Sequence, residues 1–237
     1  ATAVAQRLQY SQEEIEAVGM ASMLYDVGWL RLPANLVTKG RPFSAKEEKL
    51  VERHPELGLQ IAQKSPDLPD LINRIVIEHH ELLDGSGYPK KIAGENIHPL
   101  SQIITVCDRY DNMIHGMMGY QGRTPNAALK ELYNDSRDGK LDGSVIALLV
   151  HLLGVYPITS AVRLNTGELA VVVEMNRKNT IQPIVKICYD SKGGPLSEPK
   201  EVDLANQKAE KTQRAIDKII DPGQPGIDPK GLLHPER

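Results

Sequence analysis

The hydrophobic pattern changes its period once along the chain. From Ala1 to about Gly154 apolar positions recur at helical spacing, and beyond Gly154 they come in short β-branched runs. Glu13 to Leu24 carries Ile15, Val18, Ala21, Met23 and Leu24, a stripe of helical period. Arg31 to Phe43 holds Pro33, Gly40 and Pro42 and reads as a loop. Ser44, with Glu47 three residues on, is a capping box that opens a helix, in which Leu50, Val51, His54 and Leu57 share one face. Pro55 either ends that helix or takes the first position of the next, and Pro66 and Pro69 interrupt the chain again. A helix is predicted over Leu71 to Glu81, with Leu71, Ile72, Ile75 and Val76 apolar and His79 and His80 near its end. Asp84 to Pro89 is a Gly-rich turn. Pro99 to about Ile114 is a long helix with Leu100, Ile103, Ile104, Cys107 and Asp108 along one side. Thr124-Pro125 supplies an N-cap and an N1 proline for a helix to about Tyr133. Ser144 to Leu153 is a strongly apolar helix closed by Gly154.

The later runs are Ala161 to Leu164, Leu169 to Met175 and Ile184 to Tyr189, separated by turn signals at Asn165-Thr166-Gly167 and Asn176 to Thr180. They predict a small β-unit. Asp221 to Arg237 holds Pro222, Pro225, Pro229 and Pro235 and reads as an extended or disordered tail. The expected organisation is a mainly α protein: a helical domain over 1–154, a small β-rich extension over 155–220 and a Pro-rich tail over 221–237.

Composition narrows the function classes. The 237 residues are 41% hydrophobic and 25% charged, which excludes wholesale disorder. A net charge of −3 leaves no basic excess of the kind a DNA-binding domain carries. Only eight Tyr, one Trp and one Phe are present, so the core is expected to be aliphatic and each aromatic in an unusual place is informative. Cys107 and Cys188 are far apart, which excludes a disulfide scaffold and a zinc ribbon and fits a reducing, cytoplasmic compartment. No apolar run is long enough to span a membrane. The start, Ala1 to Ala5, has neither Met nor a basic n-region, and reads as a chain continuing from an upstream segment inside a helix.

Four features carry candidate chemistry. Asp26 ends an apolar helix, His54 lies in an apolar stripe, His79-His80 are adjacent, and Asp108 follows Leu100 and Ile104 at helical spacing. A carboxylate on a buried helix face is costly unless paired or bound to metal. Two such Asp and three such His form a mixed nitrogen and oxygen donor set, suited to Fe, Mn or another borderline divalent ion. Each residue alone also has a structural reading. His54 reads as a satisfied core histidine, His79-His80 as a polar helix end, Asp108 as a partner of Arg109 or of a helix N-terminus, and Asp26 as a helix terminator.

A family resemblance favours the chemical reading. His79-His80-Glu81-Leu82-Leu83-Asp84-Gly85-Ser86-Gly87-Tyr88-Pro89 closely resembles the signature of the HD-GYP family. His54-Pro55-Glu56-Leu57-Gly58 and Asp108-Arg109-Tyr110-Asp111 resemble two further family segments, and Leu24 to Gly28 sits where the family has its His-Asp motif. The match covers about Ile15 to Leu153, and the β-unit resembles an extension seen in some members. The resemblance implies an HD-type helical bundle and a metal-dependent phosphodiesterase that hydrolyses cyclic di-GMP to pGpG and GMP. By position it implies Asp26, His54, His79, His80 and Asp108 as ligands of one or two divalent ions, with Asp26 also catalytic as the bridging carboxylate. Tyr88 is assigned a catalytic and substrate-facing place at the site mouth. Gly85 and Gly87 are expected to let the turn adopt positive φ and approach the ligand closely, and Arg109 is a candidate phosphate contact. The resemblance further implies a diguanylate cyclase-type partner bound through Gly87-Tyr88-Pro89, and a homodimer.

The chain departs from the family twice. Tyr25 stands where the family has the His of His-Asp, and Trp29 where it has a Lys. A neutral phenol is a poor ligand for a divalent ion at pH 7, and an indole offers one N–H and no charge. Loss of a charged phosphate contact in a transition state typically costs a few kcal/mol. The expected function is therefore metal binding with low or no hydrolysis, acting by nucleotide or partner binding; the alternative is an active phosphodiesterase giving pGpG and GMP.

Overall fold

The fold is described from a computed structural model, which covers residues 1–38, 40–116, 121–176, 178–207 and 213–220. The predicted tail from Asp221 lies outside the described residues. Contacts group Ala1–Arg123 with Ala128–Leu149 in one unit, and Thr124–Ala127 with the residues from Val150 onward in a second.

The first unit is helical. Helices α1 (Thr2–Arg7) and α2 (Gln12–Leu24) lead into a 3₁₀ helix over Val27–Arg31. A short α3 (Ala34–Val37) follows, then α4 (Ala45–Val51), α5 (His54–Ala62), α6 (Asp70–Glu78) and α7 (Pro99–His115). Further along the chain lie α8 (Pro125–Arg137) and α9 (Gly143–Leu153). Local chemistry accounts for most of the boundaries. Ser44 and Glu47 form the predicted capping box at α4, and Ser11 and Glu14 form a second at α2. Pro55 takes the first turn of α5, where a missing N–H is harmless. Gly154 closes α9 in a left-handed conformation, φ +83°.

Several expectations need correction. The predicted loop Arg31 to Phe43 contains α3, started by Pro33. The stripe on α2 buries Ala17, Val18 and Ala21, whereas Met23 is 86% exposed. Cys107 is only half-buried, outside the buried face that Leu100, Ile103, Ile104 and Asp108 share. The helix predicted to run to Glu81 ends at Glu78, with His79 as its C-cap, so the histidine pair lies in the exit turn. The helix predicted to stop near Tyr133 continues to Arg137.

In this unit α5 packs on the 3₁₀ helix and on α6, while α6 also packs on α2 and α7. The core between them is aliphatic: Val18, Ile72, Ile75, Val76, Leu100, Ile103 and Ile104 are all buried. Among the described residues no aromatic side chain belongs to the buried core, as the composition predicts. Each buried Ile or Leu contributes about 1.5–3 kcal/mol.

The second unit holds a five-stranded antiparallel sheet in the order β4-β3-β2-β1-β5. The strands are β1 (Ala161–Leu164), β2 (Leu169–Glu174), β3 (Ile184–Tyr189), β4 (Pro195–Asp203) and β5 (Ile216–Ile219). Val162 and Leu164, Ala170 and Val172, and Val185 and Ile187 alternate onto one face and pack together with Leu204. The edge strands β4 and β5 escape the hydrophobic pattern. β4 is largely exposed and carries Pro195 and Pro199, residues tolerated only at an edge. Ile187→Ala is expected to destabilise this unit by about 2–5 kcal/mol, measured by urea denaturation; an unchanged midpoint would refute that packing.

Candidate metal centre

Three backbone breaks bring the candidate residues together: the end of α2, the start of α5 and the end of α6. Asp26 caps the 3₁₀ helix, His54 opens α5, and His79 and His80 leave α6. The approach is close because glycines face each other. A Cβ on Gly28 would lie 1.8 Å from the His54 carbonyl oxygen and 2.6 Å from Gly58 N.

Asp26, His54, His79 and His80 each offer one donor atom, and the four atoms lie within 4.8 Å of one another. Asp26 Oδ1 is 3.1 Å from His54 Nε2 and 3.6 Å from His79 Nε2. Both rings are oriented from behind by backbone. His54 Nδ1 is 2.8 Å from Val51 O, and His79 Nδ1 is 2.8 Å from Val76 O. A carbonyl only accepts, so each Nδ1 carries a proton, and in the form that binds a metal each ring turns an Nε2 lone pair inward. Those two Nε2 atoms are 3.1 Å apart. Facing lone pairs repel unless a proton or a cation lies between them. Two nitrogens about 2.1 Å from one ion lie about 3.0 Å apart at a right angle and about 3.4 Å at a tetrahedral angle, which brackets this separation. The donor set therefore fits a divalent ion.

The electrostatics agree. Burial would raise the Asp26 carboxyl, but its contacts with the His54 and His79 rings hold it well below the usual carboxylate range. Burial lowers His79, and burial together with His79 and His54 lowers His80 further, so both rings stay neutral, the form a metal requires.

Asp108 stands beside this group and outside it. Its Oδ1 accepts from Tyr25 Oη at 3.1 Å and from Asn112 Nδ2 at 3.0 Å. Its Oδ2 is buried without a hydrogen-bond partner, 4.0 Å from His80 Nδ1. Burial pushes this carboxyl up to about 7, and the Asp26 charge adds to the shift.

The two departures from the family pattern occupy both carboxylates. Tyr25 donates to Asp108, and its ring packs edge-on against His79 at 5.0 Å. Burial and the Asp108 charge push its phenol far up, so it stays a neutral donor. The Trp29 indole N–H is 3.2 Å from Asp26 Oδ1, and the ring stacks on His54 at 5.3 Å. Sequence reasoning anticipated what these residues lack and missed what they hold.

The Gly-rich turn lies against the other side. Tyr88 stacks on His80, with ring centroids 4.6 Å apart, and the Tyr88-Pro89 peptide is cis. Gly85 has the expected positive φ of +78°. Gly87 does not; it is required because a Cβ there would meet Leu82 N at 2.4 Å and His80 O at 2.5 Å. The Arg109 guanidinium is engaged by Asp135, which also pairs with Lys140. Two buried glutamates, Glu78 and the signature residue Glu81, hold partners that the sequence did not indicate. Glu78 accepts from Arg74, the His98 N–H and Ser101, and Glu81 accepts from the Lys90 and Lys91 N–H groups.

The HD domain family matches residues 1–145. The chain belongs to the HD domain family. A second family, the KOW domain associated with HD domain, matches residues 161–223 and so covers the sheet. Cyclic di-GMP phosphodiesterase PA4108 of Pseudomonas aeruginosa is 28% identical over 90% of this chain and 51% of its own length. Cyclic di-GMP phosphodiesterase PdeB of Borreliella burgdorferi is 28% identical over 84% of this chain and 51% of its own. This HD domain chain thus spans about half the length of those relatives. The solved structure of Bd1817, an HDG"Y"P protein from Bdellovibrio bacteriovorus, aligns with a TM-score of 0.54 and 25% identity, over 64% of this chain and 48% of that one. The HD-GYP resemblance read from His79 to Pro89 is borne out, as is the mainly α fold with a small β-unit. Among the described residues no helix is long and apolar enough to cross a membrane.

Proposed function

We propose that this chain is the HD-GYP-type part of a cyclic di-GMP signalling protein that binds a divalent ion and the dinucleotide but hydrolyses it slowly or not at all. The observation that carries this is the pair of donors on the two carboxylates: Tyr25 on Asp108 and Trp29 on Asp26. Asp26, His54, His79 and His80 would hold one ion, iron or manganese by the character of the donors. The chemistry such an ion supplies is a water of lowered pKa and neutralised charge on a phosphate. The chain's own residues then divide the remaining work. Val51 and Val76 carbonyls fix the imidazole tautomers. Tyr88, stacked on His80, presents a ring edge and a phenol at the site. Trp29 donates to Asp26 Oδ1, an oxygen that would otherwise be free for an ion, and adds no positive charge for phosphate. Arg109 pairs with Asp135 through one nitrogen and keeps its charge and further N–H groups for a phosphate.

The test is cyclic di-GMP titration by calorimetry and product analysis by chromatography, with manganese or ferrous iron present. The dinucleotide is expected to bind, and pGpG is expected to form slowly or not at all. Tyr25→His with Trp29→Lys is expected to raise turnover by at least about 100-fold, the scale of one lost transition-state contact. Readily measured wild-type turnover, no lower than that of the double variant, would instead support the second reading, an active phosphodiesterase, which the four-donor group and the named activities of the relatives favour. Binding of a diguanylate cyclase-type partner, lost in Tyr88→Ala, would extend the first reading to a protein ligand.

A further inference from the structure

The segment after the histidine pair closes on itself. Leu82 O accepts from Gly85 N–H, His80 O from Tyr88 N–H, and Leu83 O from Gly94 N–H. Glu81 sits inside this closed loop and is 2% exposed. Its Oε1 accepts the Lys90 N–H at 2.6 Å and the Lys91 N–H at 3.1 Å. Lys91 is held at φ +54°, the left-handed region that L side chains avoid. Such a conformation persists only where surrounding contacts enforce it. Glu81 takes no part in the four-donor group, yet it adjoins His80. Tyr88, whose ring lies on His80, is two residues before the first amide that Glu81 holds.

We propose that Glu81 is a positioning residue: its carboxylate clamps the Lys90 and Lys91 amides, keeps Lys91 left-handed and thereby seats the Tyr88 ring on His80. A carboxylate suits the task because one oxygen accepts two N–H groups, and hydrogen bonds to a charged acceptor are the strong ones. Without the clamp Lys91 gains by leaving the left-handed region. The chain between Tyr88 and Lys91 then rotates, and the stack on His80 opens. Glycine at position 91 has no such preference, so it makes the clamp dispensable. That coupling separates positioning from simple filling of the interior by Glu81. The functional consequence rests on the ligand-binding reading above, whereas the structural arm of the test does not.

The experiment is amide exchange and His80 ring-proton shifts by NMR on the full metal-free chain, for wild type, Glu81→Ala, Lys91→Gly and the double variant. Glu81→Ala is expected to speed exchange at Tyr88, Lys90 and Lys91 by about 10- to 100-fold, the range for loss of a charged hydrogen-bond acceptor. It should also remove the ring-current shift of His80 while leaving the amides of α6 and α7 unchanged. Lys91→Gly in that background is expected to restore most of the protection at the Tyr88 amide, whose acceptor is His80 O, together with the His80 shift, a non-additive result. The amides at 90 and 91, whose acceptor is gone, should stay fast. Equal effects of Glu81→Ala with Lys91 and with glycine at 91, or an unmoved His80 signal, would overturn the proposal. If Glu81→Ala does not fold, Glu81→Met, which keeps the buried volume and removes the acceptor, carries the same comparison. Cyclic di-GMP titration of the wild type is a separate arm: no binding there defeats the proposed function and leaves the exchange result to decide the clamp.

Discussion

Gly28→Ala is expected to destabilise the helical unit by about 3 kcal/mol or more and to abolish metal binding with it. The added Cβ would lie 1.8 Å from the His54 carbonyl oxygen, 2.8 Å from its carbonyl carbon and 2.6 Å from Gly58 N. All three are backbone atoms that no rotamer change can move. The 3₁₀ helix and α5 must separate, and that separation carries Asp26 away from His54. Gly19→Ala, nine residues earlier, should have the opposite sign. Its Cβ meets only Thr2 Cγ2, at an ordinary 3.5 Å, and alanine is favoured over glycine inside a helix by about 0.5–1 kcal/mol. Thermal melting of the two variants beside wild type measures both effects. A Gly28→Ala protein as stable as Gly19→Ala would contradict the packing of the 3₁₀ helix on α5.

His79→Ala and Asp26→Ala are each expected to weaken manganese binding by more than about 100-fold, beyond the loss that outer-shell changes cause. His79 is fully buried, so its removal also opens a cavity; Asp26 is half-buried and tests the ligand role with less disturbance. Tyr88→Ala removes the stack on His80 and none of the four donors, and should leave the affinity within about tenfold of wild type. Trp29 provides the signal. It is the single tryptophan, it stacks on His54, and it hydrogen-bonds Asp26, so its fluorescence should change as the ion binds. Metal analysis of the purified variants gives an independent count. Retention of a full complement of ion by Asp26→Ala would defeat the proposed centre.

Most of the helical unit was legible because its signals are local. The capping box at Ser44, the proline at Pro55 and the glycine after α9 act within one turn, and the structure places a helix boundary at each. The misreadings also have local causes. Met23 has the right residue type for a core stripe, but the buried face of α2 is made by Ala17, Val18 and Ala21. β4 carries two prolines and several charges because an edge strand needs neither an apolar face nor every ladder donor. Glu81 gave no sign of its clamp, since its partners are backbone amides nine and ten residues away, which no side-chain motif encodes.

By itself the sequence determined the helical fold with its β-unit, the HD-GYP resemblance and the residue types able to hold a metal, because periodicity, caps and motif spacing are properties of the chain read in order. Only the tertiary structure decided which of those residues meet. It gathers Asp26, His54, His79 and His80 within 4.8 Å, and sets Asp108 beside them, bound to Tyr25. It also turns Trp29 from a missing lysine into a donor on Asp26 and a stacking partner of His54. These contacts join residues up to 83 positions apart, and their geometry follows from how closely the glycine-faced 3₁₀ helix and α5 can approach, a distance that no local pattern specifies.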